Sequence, residues 1–193
     1  MNYPTKAKID NEIYPINTDF RVALECNKIA EDRKIGDTER ALAIIYKLYG
    51  DKGLEDVKHY DKLLEIGLKF LSCGKDLENQ DIEEQDMDFE QDMDYIKASF
   101  MSDYRIDLEN REMHWWEFYN LLNGLSNSEL GNCCILNRVR NLRTFDTSQI
   151  KDVKEKNRIE KAKKQVALKK KERKLTKEQQ ESVDLFNKLA GLN

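Results

Sequence analysis

The sequence predicts a mainly α fold: a compact helical domain over residues 1–146 that carries a small N-terminal β-hairpin, then an extended, charged helical arm over 147–193. Three observations predict it. Only 2 prolines and 8 glycines occur in 193 residues, too few turn formers for a many-stranded β architecture. Apolar residues recur at helical spacing in one segment after another. Charge is also segregated. Charged residues make up 36% of the chain against 39% hydrophobic, so a core forms only if the charge is confined to a few segments. Residues 76–94 hold ten Asp or Glu and no Lys or Arg, whereas 151–177 hold thirteen Lys or Arg against four acids. The net charge of −4 therefore hides two opposed poles.

The hairpin is read from Lys6 to Ile16, where Asp10-Asn11 separates two short β-prone runs, 6–9 and 12–16. Pro15 confines its strand to a sheet edge. Thr18 or Asp19 caps a first helix to about Arg33, with Val22, Cys26, Ile29 and Ala30 on its apolar face, flanked by Phe20 and Ala23. Thr38 caps a second, to about Tyr49, burying Leu42, Ile45, Leu48 and Tyr49 and ended by Gly50. A third, about 56–73, offers Tyr60, Leu63, Leu64, Phe70 and Leu71, with Gly74 as C-cap. The acids at 76–86 read as a solvated loop, since like charges at helical spacing repel.

From about 88 to 104 a helical period returns: Phe89, Met93, Ile96, Phe100 and Tyr104 share one face. The next helix starts at His114 and holds both tryptophans. Trp115, Phe118, Tyr119 and Leu122 follow the spacing i, i+3, i+4, i+7 and form a core face. Trp116 points about 100° away from that face; it either completes a wide buried helix or is the candidate partner contact of this helix. Ser126 or Ser128 caps another helix, to about Leu142. In the arm, the stripe of Ile159, Ala162 and Val166 is one residue wide, too narrow to fold onto a core. A short last helix, capped by Thr176, carries Val183, Phe186, Leu189 and Ala190. An apolar patch beyond a charged arm reads as a docking element, with Lys163, Lys164 and Lys170 as its basic partner contacts.

No motif for enzymatic chemistry accompanies these elements. The chain has no Gly-rich phosphate loop, no Gly-x-Ser-x-Gly turn and no His-Glu-x-x-His run. Cys26, Cys73, Cys133 and Cys134 lack metal-ligand spacing and read as reduced, structural thiols of a cytosolic protein. His59 and His114 stand alone in sequence, and His114, at a helix start, reads as structural. No cofactor and no metal are expected. The basic arm could neutralise nucleic-acid phosphates, but it interleaves acids and has no aromatic for base stacking.

Three runs carry a resemblance: Asp94-Tyr95-Ile96-Lys97-Ala98-Ser99-Phe100, Asp103-Tyr104-Arg105-Ile106-Asp107-Leu108, and His114-Trp115-Trp116-Glu117-Phe118-Tyr119-Asn120-Leu121-Leu122-Asn123-Gly124-Leu125. Together they resemble the phage gene-product-fifteen family, over about residues 15 to 175. The His-Trp-Trp-x-Phe-x-x-Leu-x-x-Gly-Leu pattern is its most specific part. The resemblance implies a tailed-phage or prophage protein from between the major tail protein and tape-measure genes. It further implies a tail assembly chaperone that binds the tape-measure protein in the host cytoplasm and helps recruit tail-tube subunits; the opposed charge poles and the terminal apolar helix suit self-association. The family has no catalytic residues to carry over. The alternatives are a nucleic-acid-binding regulator that uses the basic arm, and a structural tail component.

Overall fold

The computed structural model describes residues 3–32, 34–75, 85–127 and 133–169. They fall into two compact units, divided after Leu77. The protein is mainly α, with one two-stranded sheet among the described residues.

The first unit begins with the expected hairpin. β1 (Lys6–Ile9) and β2 (Glu12–Pro15) are antiparallel, pairing Ala7 with Tyr14 and Ile9 with Glu12. Asp10 turns the chain at φ +51°, a left-handed conformation that Asp tolerates better than most residues. The period of two puts Ala7, Ile9 and Tyr14 on the buried face, with Glu12 half-buried beside them. Lys6, Lys8 and Ile13 face out.

Three helices pack beneath. α1 (Phe20–Glu31) is capped by Asp19, whose Oδ1 accepts from the Arg21 N–H at 2.8 Å. Its buried stripe is Phe20, Ala23 and Cys26; Val22 and Ile29 are half-buried and Ala30 is exposed. The bulky Phe20 takes the inward position, and the stripe follows it. α2 (Asp37–Glu55) starts one residue before the expected Thr38 cap, because the Glu39 carboxylate reaches back to the Gly36 N–H at 3.0 Å. Gly50 breaks its helical geometry at φ +65°, the stop read from sequence. A 3-10 turn, Val57–His59, leads into α3 (Tyr60–Leu71). α3 lies so close to α2 that a Cβ on Gly67 would sit 2.9 Å from Leu48 Cδ1. The Tyr49 hydroxyl donates to the Leu63 carbonyl at 3.0 Å beside it. Gly74, at φ +75°, closes α3 by donating to the Lys69 carbonyl at 2.9 Å.

The second unit contains α4 (Met93–Tyr104), α5 (Trp115–Asn123), α6 (Ile135–Thr144) and α7 (Val153–Val166). Its core is an aromatic stack. Trp115 lies on Phe118 at 5.7 Å, Phe118 on Phe100 at 5.2 Å, and Phe89 meets the Trp115 edge at 6.1 Å. Three expectations change here. α4 begins at Met93 rather than 88, because Asp88 and Asp92 turn their side chains onto nearby backbone. Asp88 Oδ1 accepts from Glu90 and Gln91, both at 2.9 Å, and Asp92 Oδ2 accepts from the Asp88 N–H at 3.0 Å. The cap of α6 is Cys134, not Ser126, because the helix starts only at Ile135, with the Cys134 sulfur accepting from the Asn137 N–H at 3.5 Å; the Ser126 N–H donates to Asp103 Oδ2 at 2.8 Å. Ser128 lies outside the described residues.

The third change concerns the charged helix. α7 forms, capped by Asp152, and packs on α6 with Ile159, Ala162 and Val166 half-buried. Polar contacts supplement the narrow stripe. Arg143 donates to the Val166 carbonyl at 2.6 Å, satisfying the C-terminus of α7, and Lys163 donates to the Phe145 carbonyl. The Gln91 amide pairs with the Lys169 backbone in both directions, at 2.8 and 3.2 Å. No described helix is long and apolar enough to cross a membrane.

Candidate functional site

The sequence treats His59 as an isolated residue; the fold does not leave it so. Glu12 and Tyr14 are two residues apart on β2 and therefore share its inward face. Asp56 and His59 sit three apart at the 3-10 turn that opens α3. β1 packs against α3 and β2 against α2, which brings the two pairs together across 45 residues of chain.

The Tyr14 hydroxyl is the centre of the cluster. It donates to Asp56 Oδ2, and it lies 3.1 Å from Glu12 Oε2 and 3.0 Å from His59 Nδ1. His59 Nδ1 is also 2.8 Å from Asp56 Oδ2, and its Nε2 is 3.2 Å from Asp10 Oδ2. Both ring nitrogens thus face carboxylate oxygens. Three lysines surround the group. Lys58 meets Glu12 Oε1 at 3.4 Å, Lys62 meets Asp10 Oδ1 at 3.3 Å, and Lys52 sits 4.9 Å above the Tyr14 ring. Tyr14 is fully buried and His59 nearly so.

Hydrogen bonding sets the titration of this group. The Asp56 carboxylate pushes the Tyr14 phenol above its usual value, together with burial. In return the Tyr14 hydroxyl, helped by His59, holds Asp56 below the usual carboxylate range. Lys62, then His59, does the same for Asp10. Among the described residues, Glu12, Asp56 and His59 also form a group that could hold a metal ion, with their ligand atoms all within 4.8 Å of one another.

The second unit buries charge differently. Asp92, 1% exposed at its side chain, is gripped by both terminal nitrogens of Arg143, at 2.7 Å each. Arg143 also donates to the Asp86 carbonyl at 2.8 Å, and Arg140 Nε meets Asp86 Oδ2 at 2.9 Å. The acids at 76–86 read as a solvated loop from sequence, but Asp86 is paired with Arg140. Asp88 and Asp92, just beyond that run, lie in the core. Residues 76–84 of that segment are outside the described residues.

The tryptophan helix keeps its core face: Trp115, Phe118 and Leu122 are buried and Tyr119 is half-buried. His114 is its N-cap, with Nδ1 accepting from the Trp116 N–H at 3.0 Å. Trp116 itself is half-buried. Lys163 and Lys164 lie on α7, whereas Lys170, Val183, Phe186 and Leu189 are outside the described residues. All four cysteines are unpaired. Burial pushes the Cys26 thiol up to about 12 and that of Cys73 up to about 11, which keeps both protonated at neutral pH.

Reading for motifs missed both buried polar groups, since their members are scattered along the chain. Two signals were present. Glu12-x-Tyr14 puts a carboxylate and a phenol on the inward face of a strand. Arg143 is an arginine in the last turn of a helix that expects to bury its neighbours.

A family model described as Bacteriophage Gp15 protein matches residues 2–168. No curated protein and no solved structure matches the chain.

Proposed function

The chain belongs to the Bacteriophage Gp15 protein family, phage proteins of structure and assembly, and from that premise we propose that it is a non-enzymatic tail assembly chaperone. Its partner in this reading is the tape-measure protein, with the major tail protein as a second client and with self-association between copies, all in the host cytoplasm. Family membership is the observation that carries the reading.

Two features support it. The basic pole stands on a helix whose Lys154, Lys161 and Lys164 are exposed, a surface suited to steering an acidic helical client. The chain also carries opposed charge poles, which favour head-to-tail contacts between copies.

Because α7 is packed on α6, a deletion from 148 would damage the second unit. The cleaner test removes 170–193 and leaves α7 in place. Co-expressed with the tape-measure protein of the same phage, the full chain co-purifies with it and the truncated chain does not. Equal recovery of the two would remove the C-terminal segment from the interaction. No recovery of either would remove the chaperone reading.

A further inference from the structure

We propose that Glu12, Asp56 and His59, completed by the Tyr14 hydroxyl, bind a divalent cation of the zinc type, which fastens the N-terminal hairpin to the head of α3. The site is independent of the assembly role.

Hydrogen counting points to it first. Five close contacts join the Tyr14 hydroxyl, the His59 ring and the carboxylates of Glu12, Asp56 and Asp10. The phenol supplies one hydrogen and the imidazole one or, when protonated, two, against five close contacts. The cluster is therefore rich in acceptors and poor in hydrogens, and a cation among the inner oxygens and Nδ1 relieves that excess.

Spacing agrees. A tetrahedral ion with bonds of about 2.0–2.1 Å separates its ligand atoms by about 3.3 Å. Tyr14 Oη lies 3.1 Å from Glu12 Oε2 and 3.0 Å from His59 Nδ1, and Nδ1 lies 2.8 Å from Asp56 Oδ2. These three edges need an expansion of a few tenths of an ångström, the Tyr14–Asp56 hydrogen bond, the shortest in the cluster, must open further, and the carboxylate of Glu12, within 4.8 Å of the other ligand atoms, must close on them. One imidazole with oxygen donors is a set that zinc accepts.

The surroundings are those of a supported ligand. A metal-bound histidine ordinarily donates its other N–H to a carboxylate, which fixes the tautomer. Here Asp10 Oδ2 faces Nε2 at 3.2 Å, and Lys62 steadies Asp10 from outside at 3.3 Å. That tautomer leaves the Nδ1 lone pair directed into the cluster. Lys58 meets the outer oxygen of Glu12, Oε1, leaving Oε2 directed inward. The ligands come from β2 and from the turn before α3, so the ion would act as a crosslink between them.

The test is isothermal titration of the untagged, EDTA-stripped full chain with zinc chloride at neutral pH, alongside thermal melts. The expected result is one ion per chain and a rise in Tm of about 5–10 °C at a hundredfold excess over Kd. Glu12→Gln, at the half-buried rim, should abolish both while leaving the chain folded by circular dichroism. Asp10→Asn should weaken binding about 10–100-fold. Absence of binding by the folded chain overturns the proposal. So does binding that survives both Glu12→Gln and Asp56→Asn, since the ion then sits elsewhere. Stabilisation by acid without any response to zinc also overturns it, because a proton then fills the place assigned to the ion.

Discussion

Asp92 and Asp56 are both carboxylates drawn into a folded unit, and their surroundings differ in kind. Asp92 faces a guanidinium that delivers two parallel N–H groups, and further N–H groups of the same arginine close off the Asp86 and Val166 carbonyls. Its oxygens and the hydrogens around them match. Asp56 shares a phenol and an imidazole with Glu12 and Asp10, and there the acceptors outnumber the hydrogens. A matched buried pair holds a fold in one arrangement and has nothing left to offer a ligand. An acceptor-rich cluster can take up a cation. The comparison separates a structural centre in the second unit from a candidate binding centre in the first.

The largest effect should come from breaking the matched pair. Arg143→Ala strands a buried carboxylate and should cost about 3–5 kcal/mol. Both tryptophans of the chain lie in the second unit, so tryptophan fluorescence during urea unfolding reads that unit directly. The same substitution frees the Val166 carbonyl, and amide exchange along α7 should accelerate. A loss under 1 kcal/mol would erase the distinction between the two centres.

Trp115→Ala should cost a similar 3–5 kcal/mol, because its ring carries the stack onto Phe118 and Phe89. Trp116→Ala, half-buried, should cost only about 1–2 kcal/mol. Equal losses by urea unfolding would put Trp116 in the core and withdraw it as a partner contact. In the first unit, Tyr14→Phe keeps the ring and removes the central hydroxyl. It should cost about 1.5–3 kcal/mol, the range for a hydrogen bond to a charged group, as read by circular dichroism at a wavelength that follows both units. No loss would mean that the hydroxyl does not organise the cluster.

The smallest effect is that of acid on the second unit. Burial raises Asp103, but the Ser126 N–H and the Ser102 hydroxyl outweigh it and hold its carboxyl below the usual value. Asn110 and the Glu109 N–H do the same for Asp107. Folded values below the unfolded one mean that the unfolded chain binds protons first as pH falls. The stability from these groups is therefore complete above about pH 4 and disappears as pH drops through the folded values. Asp103→Asn should be less stable than the parent at pH 7 and approach it at pH 3. A constant gap in Tm across that range would contradict the assignment.

The helices themselves were legible because each repeats one apolar face. The hairpin was legible because Asp10-Asn11 interrupts an alternating pattern, and Gly50 and Gly74 marked the breaks that the chain takes. Local competition defeated the rest. Asp88 and Asp92 resemble first-turn acids of α4, yet they fold a turn of their own and enter the core. Cys134 is a weak acceptor, but it caps α6 because the helix starts at Ile135, eight residues after the cap expected at Ser126 would place it. The stripe on α7 is as narrow as its spacing implies, yet the helix packs, because the carbonyl contact of Arg143 and the amide of Gln91 supplement it and neither can be read from periodicity. The polar cluster was the least legible feature. Its residues are ordinary one by one, and only the packing of the hairpin on α2 and α3 makes them neighbours.

The assembly role is tested most directly by following the protein through one round of phage morphogenesis. Quantitative mass spectrometry should find it bound to the tape-measure protein in infected-cell extracts and absent from purified particles. Stoichiometric recovery in finished particles, or its absence from tape-measure complexes, would contradict the chaperone reading.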